Sequence, residues 1–309
     1  MKASLRNAYG ETLVAVGKTN QDVVVLEADL CKSTMGVLFE QNHPERFFEM
    51  GIAEANMAAV AAGLSLTGRV PFIASFAAFV PGRCYDQIRT SVCIPNLNVK
   101  ICGSSAGLSD FGDGSTHQSI DDIALMRVLP NMYVFSPCDA VQTKQIVEYM
   151  AANEGPMYLR INRNELPVLT DEAEAFVPGK VYTKREGRDV AIFASGVTVS
   201  LALEAAEQLA KQGVDAKVVN VPSIKPLDAD EILKICGDTK AFVTAEEHSV
   251  YGGLGDAISA IVAPKLTKKH VRFGLQDTFG TSAENYEVLL KHFNFTPEAI
   301  AQSALDALK

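Results

Sequence analysis

Residues 47–82, FFEMGIAEANMAAVAAGLSLTGRVPFIASFAAFVPG, constrain this chain more tightly than any other stretch. A single acid, Glu54, opens an Ala-rich run in which Ala55, Met57, Ala58, Ala59, Val60, Ala61, Ala62, Leu64 and Leu66 are apolar on nearly every helical face. That pattern predicts a buried helix. A carboxylate in the first turn of such a helix is costly unless it is paired or used. Two readings stay open on pattern alone: a capping acid favoured by the helix macrodipole, or a working carboxylate. Gly68-Arg69 then makes a turn, and residues 70–74 read as a short buried strand. Phe76 and Phe79 follow at its carboxyl end, where open α/β sheets bind ligands. Two rings there either pack in the core or form a flat-sided pocket for an aromatic heterocycle.

The rest of the chain alternates in the same way. Residues 3–18 carry Leu5, Ala8, Tyr9, Leu13 and Val16 at helical spacing, and residues 23–28 form an apolar run ending at Asp29. Such runs belong to strands covered on both faces of a parallel sheet. Further strands are predicted at 97–102, 132–136 and 157–161, with helices at 35–41 and 141–152. Residues 164–188 hold two prolines, an acidic cluster and little periodicity, which reads as a linker. Strands at 189–194, 216–221, 241–245 and 270–273 then alternate with helices at 200–211, 228–236, 254–262 and 297–308. The prediction is an α/β protein of two doubly wound domains, a mainly parallel one at 1–165 and a smaller one at 189–309, joined by a linker at 166–188.

With 309 residues, both domains have room for a core. The net charge of −9, from 28 basic and 37 acidic residues, and the absence of a Lys/Arg cluster argue against a nucleic-acid surface. No apolar run approaches a membrane span, and the N-terminus lacks the apolar core of a signal peptide. Cys31, Cys84, Cys93, Cys102, Cys138 and Cys236 show no ligand spacing and read as thiols of a reducing compartment, the cytoplasm. His43, His270 and His292 have no companions in sequence and are expected at the surface.

GIAEANM, followed by SFAAF and later by DGSTHQS, resembles the pyrimidine-binding domain of transketolases, with matching signals in order from Arg6 to Arg163; the tail, with EEHSVYGGLGD, resembles the C-terminal domain of that family. The resemblance implies thiamine diphosphate as cofactor. Glu54 would hydrogen-bond and exchange a proton with N1′ of its aminopyrimidine. Burial would favour a protonatable carboxyl by raising its pKa. Phe76 and Phe79 would flank that ring, and Asp29 would lie near the thiazolium; the alternative for Asp29 is a helix N-cap. Asp113 and His117 would meet substrate hydroxyls near the reacting carbonyl, His117 also serving proton transfer. Arg6, Ser33 and Arg163 would clamp a substrate phosphate.

The sequence departs from the family pattern at three places. Gly82 stands where relatives often have a third ring, Gly103 where many have a His, and the loop up to His117 is about two residues longer. The resemblance also implies that diphosphate and Mg²⁺ (or Ca²⁺) are held by another domain, through a GDG motif followed by paired Asn that this chain lacks after Gly114. A separate N-terminal subunit is therefore expected, in an α₂β₂ assembly. The resulting expectation is the C-terminal subunit of a split transketolase moving a two-carbon ketol unit from a ketose phosphate to an aldose phosphate. Alternatives are a deoxyxylulose-phosphate synthase-like chain, the β subunit of a 2-oxoacid dehydrogenase first component, and a non-catalytic regulatory paralogue.

Overall fold

Strands buried on both faces must alternate their side chains between two core layers, and the computed structural model, which describes residues 1–309, has that arrangement. The first part of the chain carries β1 (Lys2–Ser4), β2 (Val23–Glu27), β3 (Phe47–Glu49), β4 (Val70–Phe76), β5 (Lys100–Ser104), β6 (Tyr133–Phe135), β7 (Met157–Arg160) and β8 (Glu165–Pro167). The second carries β9 (Tyr182–Arg185), β10 (Val190–Ala194), β11 (Ala216–Asn220), β12 (Ser223–Lys225), β13 (Ala241–Ser249) and β14 (Lys269–Leu275). A seven-stranded sheet has the order β12-β6-β7-β5-β4-β2-β3, and a five-stranded sheet the order β14-β13-β10-β11-β9. Within them only β12 and β9, both at edges, run antiparallel to their neighbours. The fold is α/β with two parallel-dominated sheets.

Local sequence explains the elements. Along β2, Val23 and Val25 enter one core layer while Val24 and Leu26 enter the other. Each such side chain contributes roughly 1.5–3 kcal/mol by leaving water. The helix Leu5–Thr19 starts at Ser4, whose side chain accepts from the Asn7 amide, and buries Leu5, Tyr9 and Leu13. The helix Ala140–Ala152 starts in the same way at Asp139, which caps Gln142. No helix is long and apolar enough to cross a membrane.

Four expectations need correction. The linker is structured: β8 pairs with β1, and β9 forms an edge of the second sheet. These strands are short and solvated on one side, so their apolar signal is weak. The first sheet also recruits β12 from the second half of the chain, through pairing of Ser223 with Phe135. The helix Glu54–Ser65 is covered on one face only: Met57, Ala58, Ala61 and Ala62 are buried, while Ala59, Val60 and Gly63 are exposed. His43 is buried, receives Arg46 Nη2 at 2.8 Å on Nδ1 and donates from Nε2 to the Val14 carbonyl. His270 is partly buried too; it stacks on Phe242 at 4.3 Å, and burial lowers its pKa to about 4. His292 is exposed.

Gly103 has a packing reason. A Cβ there would collide with the Tyr158 hydroxyl, and Tyr158 is itself fixed by donating to Asp122 Oδ2 at 2.8 Å. A His at this position is therefore sterically excluded. Gly103→Ala is expected to lower unfolding stability by about 1–3 kcal/mol. Gly103→Ala combined with Tyr158→Phe should cost less than the sum of the single changes, as read by denaturant titration. Strict additivity would show that the two positions do not compete for space.

Candidate functional site

Chain order around β2 opens a crevice. From β2 the chain runs outward to β3, then returns to β4 on the other side. The carboxyl ends of β2 and β4 thus flank a topological switch point, where connecting segments diverge. Asp29 follows the first of these strands and Phe76 ends the second.

Four residues singled out in the sequence come together there. Glu54 is 5% exposed at the first position of its helix. Its Oε1 accepts from Arg83 Nη1 at 2.5 Å, while no hydrogen bond reaches Oε2. Phe76 and Phe79 lie nearly parallel, with centroids 5.8 Å apart and 23° between planes. The His117 ring meets both edge-on, at 6.2 and 5.2 Å. Arg83 completes the group, its guanidinium 4.0 Å above the Phe79 ring. The carboxylate therefore makes an ion pair with a side chain from the short helix Val80–Arg83 instead of capping its own helix. Arg83 was not among the residues read from the sequence; its signal was a lone cation just after the apolar stretch ending at Gly82. A Cβ at Gly82 meets nothing within 4 Å, so packing does not demand glycine there.

A second group gathers nearby. Arg6 Nε donates to the Arg163 carbonyl at 3.1 Å and Nη1 to the Ser33 carbonyl at 2.7 Å. Ser33 thus meets Arg6 through its backbone, a different contact from the expected hydroxyl of a clamp. Arg163 Nη1 pairs with Asp110 Oδ2 at 2.7 Å. Burial lowers the Arg6 pKa, and the neighbouring Arg163 charge lowers it further. Burial raises the Asp110 pKa against the pull of Arg163, and Asp113 beside it pushes the same way as burial. Asp113 itself is exposed. Asp110, absent from the sequence reading, sits in the same loop as Asp113 and His117, so that loop serves both groups.

Asp29 stands apart from both. Its carboxylate is exposed, its φ is +58°, and its amide donates to Glu49 Oε1 at 2.7 Å. Glu49 also accepts from the Gly51 amide, which shapes the turn. The short helix that follows has Leu30 at its N-cap and no side-chain cap, so Asp29 does not cap it. Behind the turn, Glu27 is fully buried, accepts from Thr34 Oγ1 at 2.6 Å, and has its pKa raised by burial.

The arrangement links a carboxylate, through Arg83, to a pair of stacked rings, beside a cationic pair that can receive an anion. Comparison with known proteins accounts for the combination. Residues 1–168 match the transketolase pyrimidine binding domain and residues 179–300 the transketolase C-terminal domain. A Methanocaldococcus jannaschii chain named as a transketolase C-terminal section is 41% identical, over 99% of this chain and 96% of that one. A 6-deoxy-6-sulfo-D-fructose transketolase subunit of a Clostridium species is 38% identical, over 97% of this chain and 93% of that one. A solved structure, described as a split gene transketolase in an inactive β₄ tetramer, superposes with a TM-score of 0.90 at 43% identity, covering 100% of this chain and 99% of that one. With both domains matched and this identity sustained over nearly the whole length, the chain belongs to the transketolase family.

Proposed function

We propose that the chain is the C-terminal subunit of a split transketolase, transferring a two-carbon ketol unit from a ketose phosphate to an aldose phosphate together with a separate N-terminal subunit. The carrying observation is that one loop joins the Glu54–Phe76–Phe79–His117 group to the Arg6–Arg163 pair. Relatives named as a section, a subunit and a split-gene product support a partner chain. So does the exposed face of the helix Glu54–Ser65: Ile52 just before it and Leu66 just after it are 75% and 73% exposed. The reading includes an α₂β₂ assembly in the cytoplasm.

The residues fit the aminopyrimidine end of thiamine diphosphate. The half-buried Phe79 ring stacks on the buried Phe76, and Glu54 keeps one carboxylate oxygen without a partner. No group of His, Cys, Asp or Glu in the chain gathers as a metal site, and in this reading the partner holds the diphosphate with Mg²⁺ or Ca²⁺. When bound, thiamine diphosphate supplies the electron sink for breaking and making a carbon–carbon bond beside a carbonyl. Glu54 holds and returns a proton at N1′, and Phe76 and Phe79 fix the ring. Asp29 would meet the thiazolium end of the bound cofactor. His117 moves a proton at the substrate oxygen, and Asp113 receives a sugar hydroxyl. Arg6 and Arg163, with Ser33, bind the terminal phosphate as charge-assisted forks.

Mixing this chain with its N-terminal counterpart, thiamine diphosphate and Mg²⁺ is expected to produce ketol transfer that neither chain shows alone. Glu54→Gln in that mixture should lower the transfer rate by about 100- to 10,000-fold. An unchanged rate would remove Glu54 from the chemistry. Arg83→Met leaves Glu54 without its ion-pair partner, and because Arg83 is half-exposed the stability loss should be about 1 kcal/mol. Combining it with Glu54→Gln should cost less than the two single changes together, as measured by a double-mutant cycle in denaturant.

A further inference from the structure

The loop bearing Asp110, Asp113 and His117 is held from the second half of the chain, and a single carboxylate does much of the holding. Glu247, near the end of β13, is 3% exposed. Its Oε1 accepts from the Leu108 amide at 3.0 Å and from the Tyr286 hydroxyl at 2.6 Å. Its Oε2 accepts from Asn162 Nδ2 at 3.3 Å, and its backbone carbonyl accepts from Arg160 Nη2 at 2.7 Å. Gly107, at φ +65°, brings the loop backbone against this carboxylate so closely that a Cβ would collide with it. Two further ties lie alongside. Gln118 Nε2 donates to the Thr281 carbonyl at 2.9 Å, and the Ala283 amide donates to the Phe111 carbonyl at 2.8 Å.

We infer that Glu247 is a positioning residue for the sugar substrate, acting from the second half of the chain through the loop. This rests on the reading of that loop as a substrate-binding loop. Every side-chain contact Glu247 makes is with a donor, so both of its oxygens are committed as acceptors. Leu108 lies two positions before Asp110, whose carboxylate aims Arg163 at the clamp. Loss of the Leu108 anchor therefore displaces the acidic and cationic contacts together, while Glu54, Phe76 and Phe79, carried by other elements, stay in place. Burial raises the Glu247 pKa to about 7 even against the downward pull of Arg160, Tyr286, the Leu108 amide and Asn162.

The test uses Glu247→Gln and, as a milder change that leaves the carboxylate in place, Tyr286→Phe. In the reconstituted two-subunit enzyme, Glu247→Gln should raise KM for the ketose and aldose phosphates about tenfold, the equivalent of one charge-assisted hydrogen bond. The kcat should fall by a smaller factor than KM rises, since Glu54, Phe76 and Phe79 stay in place and only His117 of their group rides on the loop. In the full-length chain alone, amide hydrogen exchange across residues 106–118 should accelerate in Glu247→Gln and, less strongly, in Tyr286→Phe. Unchanged KM with a lowered melting temperature would make Glu247 purely structural and overturn the inference. Equal losses in kcat and kcat/KM would overturn it too, by placing Glu247 in the chemistry. Should Glu247→Gln fail to fold, unaltered exchange and unaltered KM in Tyr286→Phe would overturn it as well. A wild-type enzyme that transfers no ketol unit counts against the proposed function, whereas the exchange measurement judges the loop anchor independently.

Discussion

Arg160, at the end of β7, is the interaction on which the site's surroundings depend. Its Nε donates to both oxygens of Asp122, and its Nη2 donates to the carbonyls of Ser119 and Glu247. The guanidinium is almost wholly buried, and burial works against its charge, yet Asp122 and then Glu247 keep its pKa above the usual value. Removing one partner of such a pair costs about 3–5 kcal/mol, because the remaining charge is stranded. One buried cation thus connects an inner strand, the end of the loop that bears Asp110, Asp113 and His117, the helix Asp122–Arg127 and the second sheet. Tyr158 joins the same network through Asp122, and it is Tyr158 that leaves only glycine room at position 103.

That joint explains why the two halves of the chain behave as one structure around the crevice. Backbone pairing between β12 and β6 contributes, as does a core layer that runs from Val24 and Ile73 to Phe242 and Leu254. A carboxyl group, two rings and two guanidinium groups can be held in fixed relation only if the loops that carry them are anchored on more than one side. Here the first sheet supplies the anchor for Glu54, Phe76 and Phe79. The loop with Asp110, Asp113 and His117 is anchored from both halves.

Much of the fold was legible because period and punctuation agree. Runs such as VVVLEA and VPFIAS suit strands covered on both faces, and the helical spacing from Leu5 to Val16 falls on a helix that the structure contains. The misses share a cause. β1, β8, β9 and β12 are three- or four-residue strands whose stability comes from a partner far along the chain, so they leave little local pattern. The helix Glu54–Ser65 misled in the opposite direction: its composition is apolar all round, yet composition does not say which face a neighbour covers.

In the site, residue types and order were readable from sequence alone: a carboxylate opening an apolar helix, two rings after a strand, and a Gly-rich loop with an acid and a His. These are local facts of the chain, and the family resemblance rests on them. Only the tertiary structure decided that Arg83 pairs with Glu54, that Asp110 holds Arg163, and that Glu247 reaches the loop from the second half. The Glu54–Arg83 pair spans 29 positions, Arg163–Asp110 spans 53 and the Glu247–Leu108 bond spans 139. Such contacts depend on how strands are ordered in the sheets and which loops that order makes neighbours. Hydrophobic periodicity carries no record of strand order, so burial and charge had to select these partners in three dimensions.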